Sequence, residues 1–256
     1  MDSPGKKPIS STNCGVRSDS VAGEHDRPQG DQRRRGMIYG RRSGHKLRPT
    51  QASLLDTLLP ELRLDPDGLP SPLTGAFSSP VTQIWLEIGF GGAEHLLWHA
   101  RRNPSVGMIG VEPFINGVAK LISAIDAEKL GNIRVFDGDA RLLLEALPPA
   151  SLDRAFVLFP DPWHKKRHHK RRIVNSDTLS RLAQALKPGA ELRLASDIPD
   201  YIRWMMEHAR HVPALAWLAE HPEDWRARPA DWPQTRYEQK ALREGRTPVY
   251  LRFRRV

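Results

Sequence analysis

The segment that decides the fold of this 256-residue chain reads Ala155-Phe156-Val157-Leu158-Phe159-Pro160-Asp161-Pro162-Trp163, followed by nine Lys, Arg or His residues up to Arg172. The apolar residues predict a buried strand, and the prolines end it because each favours an extended conformation for the residue before it, Phe159 and Asp161. Asp161 is therefore expected at a strand end beside a cationic loop, an arrangement typical of chemistry on a polyanion. A solvated loop with an ordinary Pro-Asp-Pro turn is the alternative.

The charge of the chain points to an anionic partner. Its formal net charge is +9, which favours nucleic acid, with a membrane surface as the weaker alternative. No stretch approaches the ~20 apolar residues that span a bilayer, and no apolar signal core follows Met1, so we expect a cytoplasmic protein. The one cysteine, Cys14, has no clustered ligands around it, so we expect neither a disulfide nor a metal site.

Composition divides the chain into three regions. Residues 1–36 have few large apolar side chains and are predicted to form a disordered tail. Residues 37–80 are predicted to form a basic arm and a short helix over 51–62, with a Pro-, Gly- and Ser-rich loop at 65–80 that separates them from the core. The arm either orders against RNA or only solubilises the chain. Residues 81–256 are predicted to form the folded core domain.

Strand and helix patterns alternate from Ile84 onward. Strands are expected over 84–88, 107–112, 132–136, 152–159 and 191–195, and helices over 93–102, 115–130, 141–147, 173–186 and 201–210. Such alternation is typical of an α/β fold with a doubly wound, mostly parallel sheet. The alternating residues 249–253 predict an antiparallel edge strand at the C-terminus.

Ligands of such sheets bind beyond the carboxyl ends of the strands. Four acids are expected there: Glu87, Glu112, Asp139 and Asp161. Gly89 and Gly91 allow close approach of a ligand, but Glu94 occupies the third glycine position of a dinucleotide fingerprint. A pyrophosphate would be repelled, whereas S-adenosylmethionine offers positive charge near Glu87, a ribose diol for Glu112 and an adenine amine near Asp139. The alternative is that Glu87 and Glu112 are surface acids.

From about residue 84 to the C-terminus the chain resembles the bacterial tRNA (guanine-N7-)-methyltransferases of the single-subunit type. The motifs that carry this resemblance are Leu-Glu-Ile-Gly-Phe-Gly at 86–91, Phe-Pro-Asp-Pro-Trp-His-Lys-Lys-Arg-His at 159–168, Lys-Arg-Arg at 170–172, Leu-Ala-Ser-Asp at 194–197 and Thr-Arg-Tyr-Glu at 235–238. Ala93 is a departure, because many members of the family have glycine there.

The resemblance implies a Rossmann-like class I methyltransferase domain over residues 81–256. It would transfer the methyl group of S-adenosylmethionine to N7 of the variable-loop guanine (position 46) of tRNA, as a monomer or homodimer without an obligatory protein subunit. The implied cofactor residues are Glu87, Gly89, Gly91, Glu112, Asp139 and Asp161, the last also catalytic. The implied substrate residues are Lys165, Asp197, Thr235, Arg236, Tyr237 and Glu238. The implied RNA contacts are Arg167, His168, His169, Lys170, Arg171 and Arg172.

The chemistry at N7 requires little acid–base help, because that nitrogen carries a lone pair and no proton. Positioning is expected to dominate. Asp161 or Asp197 either stabilises the charge that develops on the base or holds the N1–H and exocyclic amine of the guanine. Asp197 alternatively caps the helix after Pro199, and Trp163 either stacks on the base or packs under the loop. Two rival classes remain: a non-catalytic RNA-binding protein, which has no use for four acids in one cleft, and a nicotinamide-dependent dehydrogenase, which Glu94 contradicts.

Overall fold

The computed structural model describes Met1 and residues 38–256. The predicted disordered tail therefore lies, apart from Met1, outside the described residues. Within the described part of the chain, no helix is long and apolar enough to cross a membrane.

A single seven-stranded sheet organises the domain. Its strands are β1 Gln83–Ile88, β2 Val106–Val111, β3 Ile133–Phe136, β4 Leu152–Leu158, β5 Leu186–Ser196, β6 Leu215–Trp217 and β7 Val249–Arg255. Their order is β3-β2-β1-β4-β5-β7-β6, with β1 to β5 parallel and β7 antiparallel to both of its neighbours. The predicted doubly wound sheet and the antiparallel C-terminal strand are confirmed. The short strand β6, which the sequence did not reveal, lies outside β7.

The described helices cover both faces of the sheet. They are α1 Pro49–Thr57, α2 Leu59–Leu62, α3 Glu94–Arg102, α4 Ile115–Glu128, α5 Ala140–Ala146, α6 Ser176–Ala185, α7 Pro199–Arg210, α8 Glu223–Arg226 and α9 Arg236–Arg243. Short 3₁₀ helices occupy Pro66–Gly68, Leu73–Ala76 and Lys166–Arg171. Helices α3 to α7 were predicted closely, whereas α8 and α9 were missed because each is too short to show a periodic pattern.

The core has two layers because successive strand residues point to opposite faces. Leu86 and Val157 belong to the layer that also contains residues of α5, α6 and α7. Trp85 and Phe156 belong to the layer that contains residues of α3 and α4. Burial on both faces explains why the strands read as continuous apolar runs rather than as alternating ones.

The segment at 65–80 was predicted to separate the arm from the core, and that prediction was wrong. Leu73 and Phe77 of this segment are buried in the same core as the sheet, as is Leu64, which precedes it. The backbone N–H of Leu64 donates to the carbonyl of Val135 at 2.8 Å. A few large apolar residues among the prolines and glycines therefore suffice to fold this segment onto the domain.

The basic arm, residues 38–48, also docks on the domain. The N–H of Ile115, the first residue of α4, donates to the carbonyl of Arg42 at 2.9 Å. The side chain of Asn116 accepts the N–H of Gly44 and donates to the carbonyl of His45, each at 2.7 Å. Neither sequence-based alternative for the arm anticipated this attachment to the start of α4.

Candidate active site

A cavity of about 400 Å³ opens beyond the carboxyl ends of the parallel strands. Glu112, Asp139 and Asp161, which follow β2, β3 and β4, form what we call its acidic wall. Gly89 and Gly91, in the turn after β1, line it as well. The parallel register that brings these strand ends to one edge thus brings together most of the predicted cofactor residues.

The turn after β1 uses left-handed backbone conformations. Gly89 and Gly91 have φ of 77° and 52°, and Ala93 has φ of 65°. A Cβ atom at Gly91 would lie 3.0 Å from the Tyr237 ring, so a side chain at this position would also crowd that ring. Ala93 adopts the conformation that glycine would take more easily, at a cost of about 1–2 kcal/mol. The departure at Ala93 therefore strains the turn but does not remove it.

Glu112 is held rigidly in the acidic wall. Its two carboxylate oxygens accept the N–H groups of Gly91 and Phe114 at 2.8 and 2.9 Å. Burial raises the pKa of Glu112, and these two hydrogen bonds oppose that shift. Because Glu112 is 8% exposed, it is not a surface acid. A carboxylate has about four acceptor positions, so Glu112 retains capacity for the ribose hydroxyls of S-adenosylmethionine, and the site fits that cofactor.

Asp139 serves the fold and the cavity together. Its side chain accepts the backbone N–H of Arg141 at 3.0 Å and so caps α5. The guanidinium of Arg141 also lies 3.1 Å from the carboxylate of Asp139. This pairing neutralises part of the negative charge that was predicted for the pocket.

Asp161 borders the cavity where β4 ends, as predicted. It remains open to solvent, yet the surrounding protein desolvates it enough to raise its pKa. Phe159 and Trp163, on either side of the Pro-Asp-Pro turn, have φ of 49° and 46°. The expectation that Phe159 is extended was therefore wrong. Left-handed residues of this kind cost about 1–3 kcal/mol each and persist only where surrounding structure imposes them.

Glu87 lies beside the cavity rather than on its wall. It lines a small recess together with His95, Thr235 and Tyr237, and Tyr237 also lines the cavity itself. Glu87 is 2% exposed and 2.7 Å from Nδ1 of His95. The interpretation of Glu87 as a surface acid was wrong.

Another part of the cavity lining is cationic and aromatic. It consists of Tyr39, Arg41, Trp163 and Arg171, which we call the arm wall. The Tyr39 and Trp163 rings meet edge to face with centroids 6.4 Å apart. The guanidinium of Arg171 lies 5.2 Å from the Tyr39 ring and 5.0 Å from that of Trp163. Beside the predicted acids, the cavity is thus also lined by cationic and aromatic side chains. Tyr39 and Arg41 were missed, although an aromatic residue within a basic arm was a usable signal.

The cationic loop after Trp163 does not present all of its charge to solvent. Lys165, Arg167 and Lys170 are exposed, whereas His168 and His169 are partly buried. His168 packs against Trp163 with ring centroids 6.0 Å apart, and His169 packs against Trp204 at 5.5 Å.

Arg172 was predicted to contact RNA, and the structure contradicts this. It is 1% exposed. Its Nε donates to the carbonyl of Pro162 at 2.8 Å, and its Nη2 donates to the carboxylate of Asp200 at 2.5 Å. Its guanidinium also packs over the rings of Tyr201 and Trp204, at 4.7 and 5.0 Å. Arg172 ties the loop to α7 and is not available to a phosphate.

Asp197 forms an internal ion pair instead of capping a helix. Its carboxylate accepts from Nε of Arg246 at 2.5 Å. The N-cap residue of α7 is Ile198, whose N–H is bonded to the hydroxyl of Ser196 at 3.2 Å. The capping alternative for Asp197 was wrong, and neither Asp197 nor Lys165 is among the described residues that line the cavity.

The segment 235–238 approaches the cavity mainly through Tyr237, whose pKa burial raises. Thr235 caps α9 by accepting the N–H of Glu238 at 3.3 Å. Glu238 is buried and accepts the hydroxyl of Tyr250 at 2.7 Å. Arg236 pairs with Glu94. Three of these four predicted substrate residues thus have structural partners, and a tyrosine ring is the part presented to the cavity.

Comparison with known proteins agrees with this geometry. A family model described as "Putative methyltransferase" matches residues 81–251. A tRNA (guanine-N(7)-)-methyltransferase of Ruegeria sp. (strain TM1040) is 51% identical over 225 residues, covering 85% of this chain and 87% of the relative. The protein of the same name from Rhizobium meliloti (strain 1021) is 50% identical over 220 residues, covering 86% and 95%. The crystal structure of the 16S rRNA methyltransferase KamB superposes with a TM-score of 0.52 at 16% identity, over 74% of this chain and 95% of that one.

The sheet order and the strand-end acids define a Rossmann-like class I methyltransferase, whose cofactor is S-adenosylmethionine. Among the described residues, no cluster of His, Cys, Asp and Glu is arranged to hold a metal ion. At half identity over most of its length, the chain belongs to the tRNA (guanine-N(7)-)-methyltransferase family.

Proposed function

We propose that this chain methylates N7 of the guanine at position 46 in the variable loop of tRNA. The observation that carries the proposal is the position of Asp161, the acid of the motif most specific to the family, in the same cavity as Glu112 and Asp139. Family membership supports the reaction, and the cationic surface beside the cavity supports an RNA substrate. Because tRNA is used in the cytoplasm, we place the protein there.

The acidic wall and the glycine turn would hold the cofactor. Glu112 would accept the ribose hydroxyls, and Asp139 would face the adenine amine. Gly89 and Gly91 would let the backbone approach the ligand. When bound, S-adenosylmethionine supplies a methyl group on a positively charged sulfur. The hydrogen bonds from Gly91 and Phe114 fix the Glu112 carboxylate before any ligand arrives, which reduces the ordering cost of binding.

Asp161 would act on the guanine. N7 needs no base to remove a proton, so the contribution of the protein is alignment of the nitrogen for in-line displacement. Positive charge develops on the ring as the bond forms, and a desolvated carboxylate stabilises it more strongly than one in bulk water. Tyr237 and Trp163, which line the same cavity, would limit the orientations open to the base.

The exposed cations of the loop would hold the RNA backbone. Lys165, Lys166, Arg167 and Lys170 project into solvent close to Trp163 and Arg171 of the arm wall. Phosphate contacts of this kind provide affinity and register but little sequence discrimination. The proposal requires no second protein subunit, since both walls of the cavity come from one chain.

The test uses purified full-length chain, an unmodified tRNA transcript and S-adenosylmethionine with a trideuterated methyl group. Mass analysis of nucleosides and RNase fragments should find labelled 7-methylguanosine in the variable-loop fragment. A transcript with adenosine at position 46 is the matched control and should remain unlabelled. Label at another base, or at another guanine of both transcripts, would contradict the proposal.

A further inference from the structure

A buried chain of three polar side chains leads away from the cofactor cavity. Glu87 of β1 lies 2.7 Å from Nδ1 of His95, and Nε2 of His95 lies 3.2 Å from Nε2 of His99. The two histidines are one turn apart on α3 and are 2% and 1% exposed. Nothing in the proposed reaction uses these imidazoles directly, so their presence in the core calls for a physical reason.

The surroundings of the two histidines are aromatic. The ring of Phe156 lies 4.7 Å from that of His95 and 5.5 Å from that of His99, centroid to centroid. Trp85 lies 5.1 Å from His99, and Trp232 lies 5.5 Å from His95. For His99, whose ring has no carboxylate partner, the cationic form is disfavoured in such an apolar setting. Burial, followed by the proximity of His95, lowers the pKa of His99 to about 3, so His99 is neutral.

The hydrogen bonds then leave one consistent arrangement of protons. Nδ1 of His99 is buried and has no partner among the described residues. A proton there would be a buried, unsatisfied donor, which is rarer in proteins than an unsatisfied acceptor. His99 therefore carries its proton on Nε2 and donates to His95, which must accept at Nε2. His95 consequently carries its own proton on Nδ1 and donates it to the Glu87 carboxylate.

We propose that His95 is a positioning residue that orients Glu87 as an ionised carboxylate, whose charge His95 does not cancel, beside the cofactor cavity, and that His99 donates to Nε2 of His95 and so keeps that nitrogen an acceptor. An arginine or lysine in place of His95 would also orient Glu87 but would cancel its charge. A neutral imidazole donates the same hydrogen bond and leaves the negative charge available to the positively charged part of S-adenosylmethionine. The inference rests on the proposed function in one respect, that Glu87 serves the cofactor.

The test measures S-adenosylmethionine affinity of full-length variants by calorimetry. His95→Leu removes the donor and should weaken binding about tenfold, the scale of one hydrogen bond to a charged group. His95→Asn places an amide N–H where Nδ1 was and should restore affinity to within about threefold of the unchanged protein. Glu87→Gln should weaken binding at least as much as His95→Leu.

A packing control separates orientation from stability. Phe156→Leu disturbs the same aromatic cluster without touching the hydrogen bonds of Glu87, so it should lower Tm while leaving the cofactor affinity unchanged. If His95→Leu fails to fold, His95→Asn and Glu87→Gln still decide the matter. Equal affinities for Glu87→Gln and the unchanged protein would overturn the inference, as would equal losses in His95→Leu and Phe156→Leu.

The tautomers give an independent readout. Two-bond ¹H–¹⁵N correlation spectra of the full chain, assigned with His95→Asn and His99→Phe, should show His95 protonated on Nδ1 and His99 on Nε2. In His99→Phe, Nδ1 of His95 should stay protonated through its bond to Glu87, whereas the chemical shift of Nε2 should change because it no longer accepts from His99. An Nε2-protonated His95 in the unchanged protein would overturn the inference. Failure of the unchanged protein to bind S-adenosylmethionine would instead refute the proposed function.

Discussion

The acidic wall and the arm wall enclose the same cavity but are held in place differently. Glu112 and Asp139 are fixed by backbone N–H groups within a few residues of strand ends or in the adjacent glycine turn. Tyr39 and Arg171 are held by side-chain contacts between segments more than a hundred positions apart. The first wall is thus preorganised by the sheet, whereas the second depends on docking of the arm. Substitutions in the acidic wall should change the reaction rate and the cofactor affinity while the arm stays docked. Substitutions in the arm wall should change how well the arm itself is ordered.

The largest effect is expected at Asp161. Asp161→Asn keeps the shape of the Pro-Asp-Pro turn but removes the charge, so the single-turnover methyl-transfer rate should fall about a hundredfold, the scale of one preorganised electrostatic group. Affinity for tRNA, measured by filter binding, should be retained because the exposed loop cations are unchanged. Normal rates at saturating cofactor would mean that the carboxylate is only structural.

The same variant should be more stable than the unchanged protein at neutral pH. The pKa of Asp161 is raised above its ordinary value of 3.8 by desolvation, so the ionised form is favoured less in the folded than in the unfolded state. This cost is fully present above the folded pKa and disappears as the pH falls below 3.8. Calorimetric Tm values should therefore show an advantage of Asp161→Asn at pH 7 that shrinks toward pH 4. A constant difference across that range would contradict the assignment.

The next prediction tests whether the acidic wall contributes directly to cofactor binding. Glu112→Ala leaves ligand hydroxyls without their charged acceptor and should weaken S-adenosylmethionine binding by about 1–3 kcal/mol. Calorimetry measures the affinity, and Tm should fall as well, because the N–H groups of Gly91 and Phe114 lose their acceptor. Unchanged affinity would show that Glu112 only fastens the glycine turn to β2.

Arg171 and Arg172 are adjacent in sequence, but only Arg171 belongs to the arm wall. Arg172→Ala breaks the buried contacts to Pro162 and Asp200 and should cost about 1–2 kcal/mol of stability, since Asp200 itself is half exposed. Arg171→Ala is the matched control, which should leave the stability nearly unchanged and loosen the arm. Urea unfolding of both variants measures the difference, and equal losses of stability would contradict the distinction.

The smallest effect is expected at the anchor of the arm. Asn116→Ala removes the two hydrogen bonds to Gly44 and His45 and should weaken cofactor binding by about 0.5–1.5 kcal/mol. Hydrogen exchange over residues 38–48 should accelerate in this variant. Exchange that stays as slow as in the unchanged protein would show that other contacts hold the arm.

This contrast also explains how far the sequence could be read. Alternation of strand and helix places Glu112, Asp139 and Asp161 at one edge of a sheet, because parallel strand ends coincide whatever the loops do. The contact of Tyr39 with Trp163 has no such local rule, and charge alone indicated that the arm faced solvent or RNA. Glu87 lies at the end of β1 and His95 in the first turn of α3, and this arrangement brings them together in the recess. The sequence did not reveal the contact, because the histidines belong to no recognisable motif.

Arg172 shows a limit of a different kind. Within a run of nine cationic or histidine residues, nothing local distinguishes the one that turns inward. The distinguishing signal lies elsewhere, in Tyr201 and Trp204, which are three residues apart on α7 and present one aromatic face. The aromatic face of α7, and not the basic run itself, identifies the arginine that is buried.

The docking of the arm also sets the size of the unit that can be transplanted between proteins. A fragment trimmed to the span shared with the family model, 81–251, would lack Tyr39 and Arg41 from the cavity and would end inside β7. It would also uncover core residues that pack against Leu59 and Phe77. Chimaeras that exchange RNA specificity between family members should therefore move their crossover point upstream of residue 38, so that each catalytic sheet keeps its own arm.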